Sequence, residues 1–209
     1  MMVCDQRQVA IIGRVLTPNS IDTMTMKEAI YGRRSVRAYS AERIDQPTPR
    51  ELLMAAVWAP MAMHCEPWQF VIVQDVGVLK RLSDRVKACV SADATRLHLE
   101  HGSSDIFSQP GFNVFYDTGT LVIICTRTTG HFAVADCWLA AENLMLAAHA
   151  MGLGTCVTGS AAAALNLPDV KHEVGIPPAA AAVAPIIIGK PLGEVRPGAR
   201  NEPQVAAWR

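Results

Sequence analysis

The 209-residue sequence lacks a net charge, a long apolar run and paired cysteines. Nineteen Lys and Arg balance nineteen Asp and Glu. The basic excess needed to neutralise a phosphate backbone is therefore missing, and no nucleic-acid partner is expected. No uninterrupted apolar stretch approaches the ~20 residues that span a bilayer, so no membrane partner is expected. Charged residues make up only 18% of the chain, against roughly 25% in ordinary soluble domains. Half of the residues are apolar, which excludes disorder and leaves surface to bury; an oligomer interface is the expected place for it. The six cysteines are spread without a C-x-x-C pair and residues 1–23 show no secretory pattern. Thiols in a reducing cytoplasm fit this distribution better than a disulfide framework.

Standard nucleotide and metal motifs are also missing. Gly152, Gly154 and Gly159 do not form G-x-G-x-x-G, and they follow a helix pattern where that fingerprint follows a strand. There is no P-loop. His172-Glu173 lacks the second histidine of a zinc-protease motif, and His98 with His101 has no third ligand at a useful spacing.

What is present reads as one domain over 24–209, preceded by an N-terminal extension, 1–23; Met24 or Met26 is a candidate start. Thr25 to Glu28 is a capping box that opens a short helix ending at Gly32. Thr48-Pro49-Arg50-Glu51 suggests a second helix start, with Thr48 as the cap and Pro49 at the first helical position. QFVIVQ (69–74), TLVIICT (120–126), 154–158 and AAVAPIII (181–188) read as strands. Residues from Asp75 to about Glu100 read as a helix, and 102–118 as a loop long enough to act as a lid. The segment 132–151 is a helix apolar on nearly every side, expected to be buried all round. About four strands and six helices predict an α+β sandwich, with helices on a small mixed sheet.

Three segments could carry chemistry. In an extended stretch Arg33, Ser35 and Arg37 share one side and Arg34 the other. Guanidinium forks beside a hydroxyl suit a phosphate monoester; the same residues also fit an exposed basic run after a helix. The loop from Ala59 to Trp68, with two prolines, Met61, Met63 and His64, suits a planar ligand or a connection packed on the core. Gly152 to Gly159 offers small residues and free amides to a ligand ring, or simply caps a helix.

Taken in order, IYGRRSVRAY (30–39), APMAMHCEPWQFVIVQD (59–75), AAENLMLAAHAMGLGTCVTG (140–159) and PIIIGKPLGEVRPGARNEPQVAAW (185–208) resemble the nitroreductase family of FMN-dependent oxidoreductases. The resemblance implies an intertwined homodimer with a central mixed sheet and two FMN sites at its interface. It implies that Arg33, Arg34, Ser35, Arg37 and Arg200 hold the FMN phosphate and ribityl chain. Pro60, Met61 and Ala62 would come from the other subunit, and Thr158 and Gly159 would offer backbone amides near the reactive flavin nitrogen. The family's usual A-P-S-x-x-N-x-Q-P-W run has Met61, His64 and Glu66 in place of its polar Ser, Asn and Gln, and Lys190 stands where a tyrosine is common. The implied activity is hydride transfer from NADH or NADPH through FMN to an oxidised acceptor such as a nitroaromatic or quinone, with the flavin carrying the chemistry. His64 is then a candidate proton donor. The alternative is a flavin- or nucleotide-binding sensor or carrier without turnover.

Overall fold

The computed structural model describes residues 24–92, 106–128, 130–195 and 198–209, with the side chain of His64 left out. The extension 1–23, the histidines His98 and His101, and the end of the third helix pattern lie outside these residues. Among the described residues the elements in chain order are helix α1 (Met26–Gly32), α2 (Pro47–Ala56), a 3-10 turn (Ala62–His64), β1 (Trp68–Val73), α3 (Val76–Ala92), β2 (Thr120–Thr126), α4 (His131–Ala150), β3 (Gly154–Val157), α5 (Ala161–Leu165), α6 (Pro168–Val174) and β4 (Ala181–Gly189). This is an α+β fold.

The capping box forms as expected. The Glu28 amide donates to Thr25 Oγ1 at 3.2 Å, and the Thr25 amide donates to Glu28 Oε2 at 2.7 Å. The second helix starts differently. It begins at Pro47, and the Asp45 carboxylate, not Thr48, is the acceptor, taking the Thr48 amide at 3.2 Å. Helix α4 closes with glycine in the left-handed region, Gly152 at φ 73°. The Leu153 amide reaches back to Ala148 O at 2.8 Å and the Gly152 amide to His149 O at 2.9 Å, the bonds of a Schellman stop.

The sheet order is β1-β2-β4-β3, and all three pairings are antiparallel. Among the described residues the parallel component expected of a mixed sheet is confined to an isolated bridge between Ser35 and Thr155. The reason is visible at β1. Val73 at its end pairs with Leu121 near the start of β2, so the chain re-enters the sheet at the end where it left.

Both faces of the sheet are covered. One packs Leu121, Ile123 and Ile187 against Leu79, Leu82 and Val86 of α3 and Leu165 of α5. The other packs Val122, Ile124, Ile186 and Ile188 against Leu52 of α2 and Ala140 and Leu144 of α4. Strands buried on both sides need no polar alternation, which accounts for the unbroken apolar runs in β2 and β4. Strand β1 lies at an edge and is only partly buried.

Two expectations change. Helix α4 is not buried all round within one chain: Phe132 is 68% and Trp138 42% exposed, with Leu139 open beside them. The described part of the supposed lid, 106–118, is docked. Phe115 is fully buried, Val114 N donates to Ser83 Oγ at 3.0 Å, and Phe107, Phe112 and Tyr116 stack edge to face with centroids 5.6 Å apart. No helix among the described residues is long and apolar enough to cross a membrane.

Candidate functional site

The segment after α1 runs extended beside the outer edge of β3. Val36 N donates to Thr155 O, Leu192 N to Ala38 O and Ser40 N to Lys190 O, each at 2.9 Å. A Cβ on Gly154 would sit 2.8 Å from Val36, so only glycine lets this segment lie so close. The approach places the four residues 33, 34, 35 and 37 along one sheet edge.

Arg33 faces Glu142 of α4 at 3.6 Å. Arg34 is more constrained. Its Nη1 donates to the carbonyls of Tyr31 and Arg33, both at 2.7 Å, and its Nη2 to Gly198 O at 3.3 Å. Its Nε is buried and has no acceptor among the described residues. The C-terminal tail brings Arg200 to the same place, since a Cβ on Gly198 would lie 3.3 Å from Arg34 Nε and 3.8 Å from Arg200 Nη1. Among the described residues Arg200 donates only to the neighbouring Ala199 carbonyl, at 3.3 Å. His149 joins this group without having been expected. Its Nε2 would stand 2.6 Å from a Cβ at Gly32, and burial, then Arg33 and Arg34, hold its pKa below the usual histidine value. A histidine in the last turn of a largely apolar helix was the signal for it.

Arg37 leaves the arginine group and lines a cavity of about 100 Å³ with Cys156, Thr158, Gly159, Phe112 and Tyr116. Burial raises the Cys156 thiol pKa, while Arg37, Ser35 and Arg33 oppose the rise. Of the two amides expected here, only one is free. Thr158 N donates to Pro185 O at 2.9 Å, so the expectation of an available Thr158 amide fails. Pro185 has no N–H to return that bond, which ends the β3–β4 pairing. The Thr158 carbonyl instead accepts from Ala161 N at 2.8 Å and starts the turn into α5. Gly159 N–H has no acceptor among the described residues, and a Cβ there would meet nothing within 4 Å. The ground beside that amide is open.

Pro60, Met61 and Ala62 lie elsewhere in the chain and do not line this cavity. Met61 is turned inward, its Sδ accepting from Glu66 N at 3.4 Å and its side chain packed on the α2–α4 core. The chain thus carries two half-sites: an arginine-lined edge with an open glycine amide, and a proline turn near α4. Five free cysteines are described; Cys125, Cys137 and Cys156 are buried, whereas Cys65 is exposed. No group of metal-ligating side chains occurs among the described residues.

The fold and this edge define a class: an α+β protein with both sheet faces covered and a cationic cradle suited to an anionic group next to open backbone. Comparison with known proteins gives that class its family. The chain belongs to the nitroreductase family, whose family model matches residues 30–190. It is 26% identical over 170 residues to a provisionally named NADH dehydrogenase/NAD(P)H nitroreductase of Archaeoglobus fulgidus, covering 79% of this chain and 84% of that protein. In structure it is similar to a Bacteroides fragilis nitroreductase with bound FMN, at TM-score 0.75 and 24% identity, over 88% of this chain and 98% of the other. It is also similar to an iodotyrosine deiodinase bound to FMN and 3-iodo-L-tyrosine, at TM-score 0.68 and 20% identity, over 87% and 97%.

Proposed function

We propose that this chain is an FMN-dependent oxidoreductase that passes hydride from NADH or NADPH to an oxidised small-molecule acceptor, a nitroaromatic or quinone. Family membership supports the oxidoreductase class. The observation that carries the cofactor is Arg34: a buried guanidinium nitrogen with no acceptor among the described residues, beside Arg200, fits a phosphate oxygen.

FMN, when bound, supplies hydride acceptance and delivery, one substrate leaving before the next arrives. The protein's part is position and electrostatics. Arg33, Arg34 and Arg200 neutralise the phosphate, with Ser35 and Arg37 along the ribityl chain. Gly159 donates its free amide to the ring system and, lacking a side chain, leaves room for it. Thr158 acts by shaping the turn, because its amide is already engaged. No side chain needs to act as a nucleophile.

Pro60, Met61 and Ala62 reach a flavin only across a homodimer in this reading. The open face of α4 supports such a dimer, as do the exposed tail residues Val205 and Trp208. A reducing cytoplasm suits the free thiols.

Purified protein is expected to be yellow, or to become so on reconstitution with FMN, and to consume NADH or NADPH with menadione or a nitrofuran. A halogenated phenol belongs in the same acceptor screen, given the deiodinase likeness. Protein that cannot be reconstituted with FMN contradicts the proposal. FMN binding without nicotinamide consumption favours the sensor or carrier reading, for which the inward turn of Met61 is the supporting observation.

A further inference from the structure

The turn over residues 61–66 holds a conformation that its own residues disfavour. Met63 has φ 56° and Glu66 has φ 40°, both in the left-handed region that side chains other than Gly, Asn and Asp rarely adopt. Such backbone persists only where its surroundings impose it. Three ties do so here. Arg127 Nη2 donates to the Glu66 carbonyl, Glu66 N donates to Met61 Sδ at 3.4 Å, and Ala62 N donates to Asp136 Oδ2 at 3.1 Å and Oδ1 at 3.2 Å.

The third tie differs in kind. Asp136 lies on α4, far from the turn in sequence, and is only 5% exposed. Among the described residues no cation pairs with it within salt-bridge distance, and the Ala62 amide is its one hydrogen-bond donor. A neutral Asn could accept that amide without burying a charge, so the carboxylate's advantage lies in a stronger, charge-assisted bond. The bond falls at the first residue of the 3-10 turn, just before Met63. It therefore anchors the point from which the left-handed residues depart. Met61 is turned into the core beside this anchor, and Met63 is turned out, 86% exposed.

We infer that Asp136 is the positioning residue of this turn, holding Ala62 so that the proline-turn half-site keeps one shape for the flavin site of a second copy. The inference rests on the proposed FMN function for its purpose but not for its geometry. Asp136 touches neither cofactor nor substrate in this role; it acts through Ala62.

The test uses hydrogen exchange on the full-length protein, with and without FMN, for wild type, Asp136→Ala and Asp136→Asn. Asp136→Ala should exchange the amides of residues 62–66 about tenfold faster without a change in the sheet, the size expected for loss of a bond to a charged group. Asp136→Asn should recover most of that protection. FMN affinity should fall several-fold in the alanine variant and return with asparagine. Unchanged exchange at 62–66 overturns the inference. Faster exchange with unaltered FMN affinity overturns the link to the flavin site. If wild type binds no FMN, the proposed function and that link fall together, whereas the anchoring of the turn is judged by exchange alone. Should the alanine variant not fold, the asparagine variant alone decides: a slight rise in exchange at 62–66 with the sheet intact supports the anchor, and a uniform rise contradicts it.

Discussion

Arg34 reaches three carbonyls of its own chain and still has a buried Nε without an acceptor among the described residues. A guanidinium so held is preorganised, and among the described residues Arg200 beside it donates only to the Ala199 carbonyl. Arg200→Ala should weaken FMN binding about tenfold or more, because charge-assisted bonds to phosphate contribute roughly 1.5–3 kcal/mol each. The exposed Arg50→Ala, on α2, should leave affinity unchanged in the same flavin titration. A second prediction concerns pH. Thr25 holds the Glu28 carboxyl below its ordinary value of 4.5, through the side-chain and then the backbone bond. A carboxylate with a lowered folded pKa contributes stability above its unfolded pKa and loses it as pH falls through the folded one. The melting-temperature gap between wild type and Glu28→Gln should therefore be present at pH 7 and close below the ordinary carboxylate range. Some residues here were legible in sequence and some were not. The capping box is local, four residues long, and forms as read. Arg34 meets Gly198 across 164 positions, and no spacing rule reports a contact of that range.

Among the elements, α4 carries the most. Its inner face holds Leu144, fully buried between the sheet and α2. Leu144→Ala should cost about 2–5 kcal/mol, read as a lowered denaturation midpoint with little change in slope. The extended segment 33–40 depends on close approach instead. Gly154→Ala places a methyl group 2.8 Å from Val36 and should push Arg33, Arg34 and Ser35 away from the β3 edge. Lost FMN affinity with a preserved far-UV circular dichroism spectrum is the expected result. The apolar runs made the strands readable, but the same runs concealed their direction. A strand buried on both faces looks alike in parallel and antiparallel sheets, so only the observed register excludes a fully developed mixed sheet. The start of α2 was misplaced for a similar reason. Two prolines two residues apart each offer a first helical position, and Asp45 decides between them.

For the whole molecule, low charge and high apolar content pointed to surface in need of cover, and the structure shows where much of it lies. Phe132, Trp138 and Leu139 of α4 and Trp208 of the tail stand exposed in a single chain. If the proposed homodimer forms through this face, Trp138→Glu should convert it to monomer by light scattering and release the flavin, since each proposed site would lose the partner's proline turn. Zero net charge said nothing about the ligand, because a balance over the whole chain does not report which charges sit together. The cations that matter are gathered by the 33–37 segment and the returning tail. The most direct measurement compares FMN with riboflavin, which differs only by the phosphate, in binding titrations to wild type and Arg200→Ala. The arginine cradle predicts that wild type binds FMN at least about a hundredfold more tightly than riboflavin, and that the gap narrows about tenfold or more in the variant. Equal affinities for the two flavins in wild type, or an undiminished gap in Arg200→Ala, would contradict it.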